Sequence, residues 1–586
     1  MAAAQPAGEP AVDTWGSDKV ADLLRSLDFP YAVIVPGASF RGLHDSIVNR
    51  LGNQTPQLIT CLHENHAVSI ADGYSRVTET PLVVILHSNV GLMNGSMAIF
   101  NAWCDRRPML VLGATGPVNA LERRPWIEWV HTSQDQGALV RHFVKWDDQP
   151  ASAEAAIESI LRANQITRSL PGGPVYVCLD AGMQEAPVKR SIPLVSPDRF
   201  QPAATPPAPQ EVVEQVHEAL SRAKRPLILM GRVTRRMEDW NERIAFAETY
   251  GAPVLSSPMN APAFPVEHPL HFLPPASDKG SQAEAEFLAD RDLILSLDWV
   301  DLAGFLRART GQVQSLTPHK AKIINCSLDG LLANGWSKDH QALPAVDIPV
   351  LSHPDVFMRQ LRRHANTVSH KPRSDAAEVK HWKDKPRLTI AAGSPFDLKQ
   401  LAEVMYEWSR NRDVTFARLP IGWPQEACGF RHPLDFLGKD GGGTVGTGPA
   451  HTVGAALALK GSGRIVVGVI GDGDFCMGMN ALWTAANQDL PMMVVVANNR
   501  SYYNDEVHQE RVAVQRHRPV ENKGIGQRLD SPDINLGRIA EAQGFQAGGP
   551  VATLEAFRQA LAAGTEVVTS GGRYFIDARI KSGYAS

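Results

Sequence analysis

Cysteine is scarce in this sequence, with six residues in 586. Cys61, Cys104, Cys178, Cys326, Cys428 and Cys476 are scattered, without the close pairs of a zinc site and too few for a disulfide framework. An excess of one charge is also missing. Lysine and arginine number 58 against 62 acidic residues, a formal net charge of −4, which gives no general electrostatic reason to expect a nucleic-acid partner. No apolar run approaches the ~20 residues that span a bilayer, so no membrane partner is expected. The opening stretch, MAAAQPAGEPAVDTWGSDKV, has neither the basic n-region nor the apolar h-region of a secretory signal. What these absences leave is a cytoplasmic α/β protein. Its 44% hydrophobic and 20% charged residues suit large cores, and its length calls for two to four domains.

Two stretches read as linkers. SPDRFQPAATPPAPQ, from Ser196, is rich in proline and alanine, and SHKPRSDAAEVKHWKDKP, from Ser369, is polar and charged. They divide the chain into expected domains at 12–192, 208–366 and 387–586. Each part holds short aliphatic runs between longer amphipathic segments. The first has YAVIVPG, PLVVILHS, PMLVLGA and GPVYVCLD; the second has RPLILMGR, DLILSLD and KIINCSL; the third has RIVVGVIGDG, PMMVVVANN and RYFIDARI. Runs rich in Val, Ile and Leu and bounded by Gly or Pro suit parallel strands buried on both faces. Intervening segments such as EVVEQVHEALSRA have helical spacing. The expected fold class is α/β, with three doubly wound parallel-sheet domains.

Two of these runs stop abruptly at polar clusters. RIVVGVI ends in GDGD, from Gly471 to Asp474, and PMMVVVA ends in the amides Asn498 and Asn499. If both are parallel strands joined by a helix over CMGMNALWTAANQD, Asp472 and Asn499 lie at one carboxyl edge, where open α/β sheets bind ligands. Gly471 and Gly473 permit a tight turn with close backbone approach, and the helix that follows points its N-terminus at any phosphate there. Asp472, Asn499 and the main-chain carbonyl of Ser501 offer hard oxygens. That set suits Mg²⁺ or Ca²⁺ bridging a diphosphate.

GDG followed at this interval by NN resembles the diphosphate–metal motif of thiamine-diphosphate (ThDP) enzymes, and the resemblance covers nearly the whole chain. The three parts match that family's pyrimidine-binding, central and diphosphate-binding domains. CLHENHAVSIADGYSR looks like the segment carrying the family's catalytic glutamate, here Glu64. LHSNVGLMNGSMAIFNAWCDRRPMLVLGA, FVKWDDQPAS and GPVYV look like the benzoylformate decarboxylase branch. The resemblance implies that Glu64 activates the aminopyrimidine ring, that Val445 in GGGTVGTG wedges between the cofactor rings, and that the Gly443 carbonyl accepts from the exocyclic amine. Family members usually carry Leu, Ile or Met at the wedge. His87, ending PLVVILHS, matches a histidine that handles protons. A second histidine is expected from APAFPVEHPLHF, as His268 or its neighbour His271.

The branch also has a serine after its first strand that contacts the substrate carboxylate. Alignment on PG in VPGASFRG puts Ala38 there, with Ser39 one position later, which favours a carboligase or lyase. After NN, SYYNDEVHQERVAVQRHRPVENKGIGQR is an insert whose Arg511, Arg516, Arg518, Lys523 and Arg528 form either a lid for an anionic substrate or a solvated loop. Tyr502 and Tyr503 are candidates for the cavity wall or the core. The central domain carries FAD in acetohydroxyacid synthases, but RPLILMGRVTRRMEDWNER gives no specific flavin signal. Three readings follow: a 2-oxo acid decarboxylase acting on an aromatic or branched substrate; a lyase, carboligase or acetolactate-synthase-like transferase on the same cofactor; and a non-catalytic scaffold of the same fold. Glu64, GDG and NN together argue against the third. The resemblance further implies that the first domain of one subunit meets the third domain of another, giving a dimer at least and a dimer of dimers by analogy.

Overall fold

Every aliphatic run named above is a strand, and the strands assemble into three separate, wholly parallel sheets. The computed structural model describes residues 14–188, 192–193, 196–257, 260–272, 278–310, 320–331, 343–370 and 396–583. Most of the second linker, from residue 371, lies outside the described residues.

The first sheet runs Gln57–Thr60, Tyr31–Ile34, Val83–Leu86, Met109–Thr115, Pro174–Asp180, Asp147–Asp148 in spatial order. The central sheet runs Ile348–Val350, Lys322–Cys326, Leu293–Leu297, Pro226–Met230, Val254–Ser256. The third runs Val414–Arg418, Ile465–Gly471, Met492–Asn498, Arg573–Arg579, Gln546–Val551. Helices cover both faces of such sheets, which is why Val83–Leu86 and Met492–Asn498 are buried along their whole length.

The first and third domains share a hydrophobic core. Its seam is the contact between helix Glu64–Thr78 and helix Gly448–Ala458, which bury Val68, Ala71, Val453 and Ala456 in the same core. Two glycines bring the helices unusually close. A Cβ on Gly73 would lie 2.4 Å from the His451 carbonyl oxygen, and one on Gly454 would lie 2.1 Å from that of Ile70. ADG and TVG in the sequence are therefore packing requirements, and the apolar area between the helices is what removes this seam from water.

The helix expected over residues 476–489 differs from the observed one. Asp472–Gly478 and Ala481–Asn487 are two short helices broken at Met479 and Asn480. Gly478 presses against the Gly446 carbonyl oxygen, 2.2 Å from where a Cβ would sit, and the chain turns there to keep that approach.

Candidate active site

At the third sheet, Ile465–Gly471 and Met492–Asn498 are adjacent, with Gly471 opposite Ala497. Asp472 and Asn499 therefore emerge side by side. Ser501 ties them: its N–H donates to Asp472 Oδ2 and to Asn499 Oδ1, both at 3.0 Å. Asp472 Oδ1 also accepts from the Gly473 N–H at 3.0 Å. Burial pushes the Asp472 carboxyl up to about 6, with these backbone donors opposing. Asn498, the first amide of the pair, faces the other way. Its side chain donates to Asp577 and accepts from Arg500 N–H, closing the turn in which Arg500 has φ +58. Only the second amide borders the site.

Tyr502 lies across Gly473. A Cβ there would meet the tyrosine ring at 2.4 Å, so the glycine is fixed by this ring. Gly471, by contrast, has open space around its Cβ position, as does Gly443 at φ +66. Asp474 turns inward. Its Oδ1 accepts from Gly446 N–H at 2.7 Å and Gly448 N–H at 3.1 Å, and its other oxygen pairs with Arg418 at 3.4 Å. This carboxylate holds the glycine-rich loop onto the GDGD turn. Val445 at the loop's crest and Met477 beside it are exposed apolar side chains.

The insert folds as helix Tyr503–Gln515 followed by a 3₁₀ turn at Val520–Gly524, and it returns to pair Ser501 with Arg528. Tyr503 begins that helix. Ser501 Oγ donates to the buried Glu506. Lys523 pairs with Glu510, and Arg528 lies 3.6 Å from Glu506, so these two cations serve the insert itself. Arg511, Arg516 and Arg518 are exposed.

The first sheet presents a different edge. Glu64 opens its helix after His63, whose Nδ1 accepts from Asn65 N–H at 3.1 Å. The half-buried Glu64 accepts from Asn94 Nδ2 at 3.0 Å. His87 follows strand Val83–Leu86, two strands across the sheet from Gln57–Thr60, and is the N-cap of helix Ser88–Cys104. Its Nδ1 is 2.7 Å from Ser39 Oγ, while Ala38 points outward. Gly37 makes room, since a Cβ there would sit 2.2 Å from the His87 ring. Burial, and then His131, lower the His87 imidazole from its ordinary value, with Glu64 opposing and Arg124 adding to the shift. The His131 ring stands edge-on at 4.8 Å from His87. Sequence reasoning missed His131, because HTSQDQ has no strand or motif to point at it.

The two central-domain histidines diverge. His268 Nε2 is 3.3 Å from Glu248 Oε1 at the domain surface, and its Nδ1 accepts from Leu270 N–H. His271 is buried, stacks on Phe264, and lines a cavity of about 560 Å³ between the central and third domains with Trp299, Trp423 and Lys439. Among the described residues no hydrogen bond or ion pair joins Glu64 to residues 443–501 of its own chain.

The three sheets and their two functional edges define a three-domain α/β enzyme fold. Models of the thiamine pyrophosphate enzyme N-terminal TPP binding domain, central domain and C-terminal TPP binding domain match residues 14–140, 213–361 and 421–578. With all three matched in order, the chain belongs to the thiamine-diphosphate enzyme family, and it is a ThDP-dependent enzyme. It is 26% identical to benzoylformate decarboxylase of Pseudomonas aeruginosa, over 75% of this chain and 78% of that one. To the acetolactate synthase large subunit of Haemophilus influenzae it is 25% identical, over 83% and 82%. The solved structure of a thiamine diphosphate-dependent 4-hydroxybenzoylformate decarboxylase from Rhodococcus jostii superposes with a TM-score of 0.78 at 22% identity, covering 98% of this chain and all of that one.

The residues present fit ThDP with a divalent ion. Asp472 and Asn499 supply side-chain oxygens, as that donor set requires, and a cation beside the buried carboxyl would offset the burial that raises it. Gly471, next to this carboxyl, and Gly443, in the glycine-rich loop, both leave open space where a cofactor would need backbone without side chains.

Proposed function

We propose that this enzyme decarboxylates a 2-oxo acid of the benzoylformate type, aromatic or branched, to an aldehyde and CO₂, using ThDP and Mg²⁺. The observation that carries the reading is Asp472: a buried carboxylate joined through the Ser501 N–H to Asn499, at the carboxyl edge of two adjacent parallel strands. Asp472, Asn499 and the Ser501 carbonyl hold the metal and, through it, the diphosphate. The cofactor supplies a nucleophilic carbon for the substrate carbonyl and an electron sink for the bond that breaks. Val445 would lie against its rings when it is bound, and the Gly443 carbonyl would accept from its amine. Glu64 would hydrogen-bond the pyrimidine ring and act there as the acid–base group. His87, with Nδ1 engaged by Ser39, works through Nε2, giving and taking the substrate's proton.

The active unit is a homodimer or a dimer of such dimers. Leu62, Val90, Met93 and Met97 leave apolar surface exposed around Glu64, and Val445 and Met477 do the same at the other edge. Bringing the first edge of one subunit against the third edge of its partner would cover both patches. The six cysteines are free thiols, in keeping with a reducing cytoplasm. Among the described residues no helix is long and apolar enough to cross a membrane.

A carboligase or acetolactate-type transferase on the same cofactor is the second reading, favoured by the comparable similarity to acetolactate synthase. One panel separates them. Purified protein with ThDP and Mg²⁺ is given benzoylformate, branched 2-oxo acids and benzoin, and CO₂ and aldehyde are followed. Stoichiometric CO₂ and aldehyde from a 2-oxo acid is expected. Benzoin cleavage, or condensed product without free aldehyde, would replace the first reading with the second.

A further inference from the structure

Behind the glycine-rich loop lies a buried chain of charges that neither edge uses directly. His451 sits in the first turns of helix Gly448–Ala458 and is 2% exposed. Its Nε2 is 3.0 Å from Asp72 Oδ2, on helix Glu64–Thr78, and its Nδ1 is 3.2 Å from Asp440 Oδ1. A neutral imidazole has one N–H and can serve one of these carboxylates; serving both takes two N–H groups and a positive charge. Arg76, the other cation facing this ring, pairs with Asp72 at 3.0 Å, with Asp440 at 3.3 Å and with Asp105. Asp440 in turn pairs with Arg418 and accepts from Thr447 Oγ1 at 2.6 Å, and Arg418 reaches Asp474. Asp474 then holds Gly446 and Gly448 by their N–H groups, while Asp105 and Asn101 hold those of Gly441 and Gly442. Asp72, Asp105, Asp440 and Asp474 face Arg76 and Arg418, with the Arg107 guanidinium adding its charge beside Asp105. The loop that carries Gly443 and Val445 is thus fastened at both ends to one network, which is tied to the Glu64 helix twice, by His451 bridging Asp440 to Asp72 and by Arg76, itself on that helix, pairing with Asp440.

We propose that His451, as an imidazolium clamped between Asp72 and Asp440, is a positioning residue that fixes the glycine-rich loop in the shape that receives the cofactor rings. This rests on the ThDP reading. Its effect falls on the ring-binding loop and leaves the diphosphate anchor at Asp472 and Asn499 unchanged, because the network touches that anchor only through the backbone of the GDGD turn.

The test compares two ligands of the full-length protein by titration calorimetry in excess Mg²⁺: ThDP, which needs loop and anchor, and inorganic pyrophosphate, which needs the anchor alone. In His451→Gln the ThDP dissociation constant should rise at least tenfold while that of pyrophosphate stays within twofold. Unchanged ThDP affinity overturns the proposal, and so does an equal loss for both ligands, which would make His451 a general support of the fold. If His451→Gln does not fold, wild-type titrations between pH 7 and pH 9 decide. The geometry, with burial opposed by Asp440 and Asp72, puts the His451 imidazole at about 8, so ThDP affinity should fall at least fivefold across that range with pyrophosphate affinity flat. A flat ThDP profile overturns the proposal. Absence of ThDP uptake by the wild type would instead sink the functional reading and this proposal with it.

Discussion

The carboxyl edges of the first and third sheets both belong to wholly parallel sheets and do opposite things with their polar groups. At the third edge, Asp472, Asn499 and Ser501 are bound to one another through backbone N–H groups, leaving outward lone pairs in a fixed array. In the proposed function that edge is the anchor. At the first edge, Glu64, His87 and His131 have few side-chain partners, and their charges influence one another across short gaps. Groups left this loosely partnered can gain and lose protons. On the proposed reading, the strand ends supply position, and the hydrogen bonds already made there separate the residues assigned to hold a ligand from those assigned to move a proton.

The largest effect should come from cutting the anchor. Asp472→Ala should weaken ThDP and Mg²⁺ uptake together by roughly 100-fold or more, since even groups behind a metal ligand are worth 10–100-fold; calorimetry on each ligand reads it. Loss of only one of the two would mean that the edge does not bind them as a unit.

Glu64→Gln tests the opposite edge. Uptake of ThDP should stay within about threefold, and turnover should drop by on the order of 100-fold or more, the usual scale for a lost acid–base group. Full activity in this variant would remove Glu64 from the mechanism.

Between the edges lies His451, whose raised value, about 8 against 6.5, ties stability to pH. A folded imidazole that holds its proton more tightly than the unfolded one stabilises the protein fully below about pH 6.5. That contribution is lost as pH rises through about 8. The buried ring is worth on the order of 2 kcal/mol by linkage. Denaturant melts at pH 6 and pH 9 should show the wild type losing more stability than His451→Gln; parallel losses would mean that the ring stays neutral.

The smallest expected effect is at Ser39. Removing its hydroxyl costs His87 one hydrogen bond, about 0.5–1.5 kcal/mol, or up to roughly tenfold in kcat/KM. A shift of the acidic limb of the pH–rate profile should accompany it. An unchanged profile would show that Ser39 does not orient the imidazole.

The strands legible in the sequence were YAVIVPG, PLVVILHS, RPLILMGR, RIVVGVIGDG and their like, and all of them lie inside the sheets. The strands not anticipated are the edge strands of all three sheets. Gln546–Val551, reading QAGGPV, is half in solvent and has no aliphatic run. Asp147–Asp148 is two carboxylates pairing with a single neighbour. An interior strand is buried on both faces and must be apolar throughout, whereas an edge strand has one neighbour and fewer constraints on its side chains. The same logic separates the site residues. Asp472 and Asn499 announce themselves by ending apolar runs. Asp474 looks like part of the same cluster, but its carboxylate is committed to Gly446 and Gly448.

The interior strands, the GDG and NN turns and the family are all legible along the chain, because each is a local pattern that burial or chemistry forces onto neighbouring residues. Tertiary structure alone decided that Ser39 and not Ala38 meets His87, that His131 joins them, and that Asp72, His451 and Asp440 form one buried chain. Strand pairing brings Ser39 and His87 together across 48 residues, and the packing of helix Gly448–Ala458 on helix Glu64–Thr78 brings His451 to Asp72.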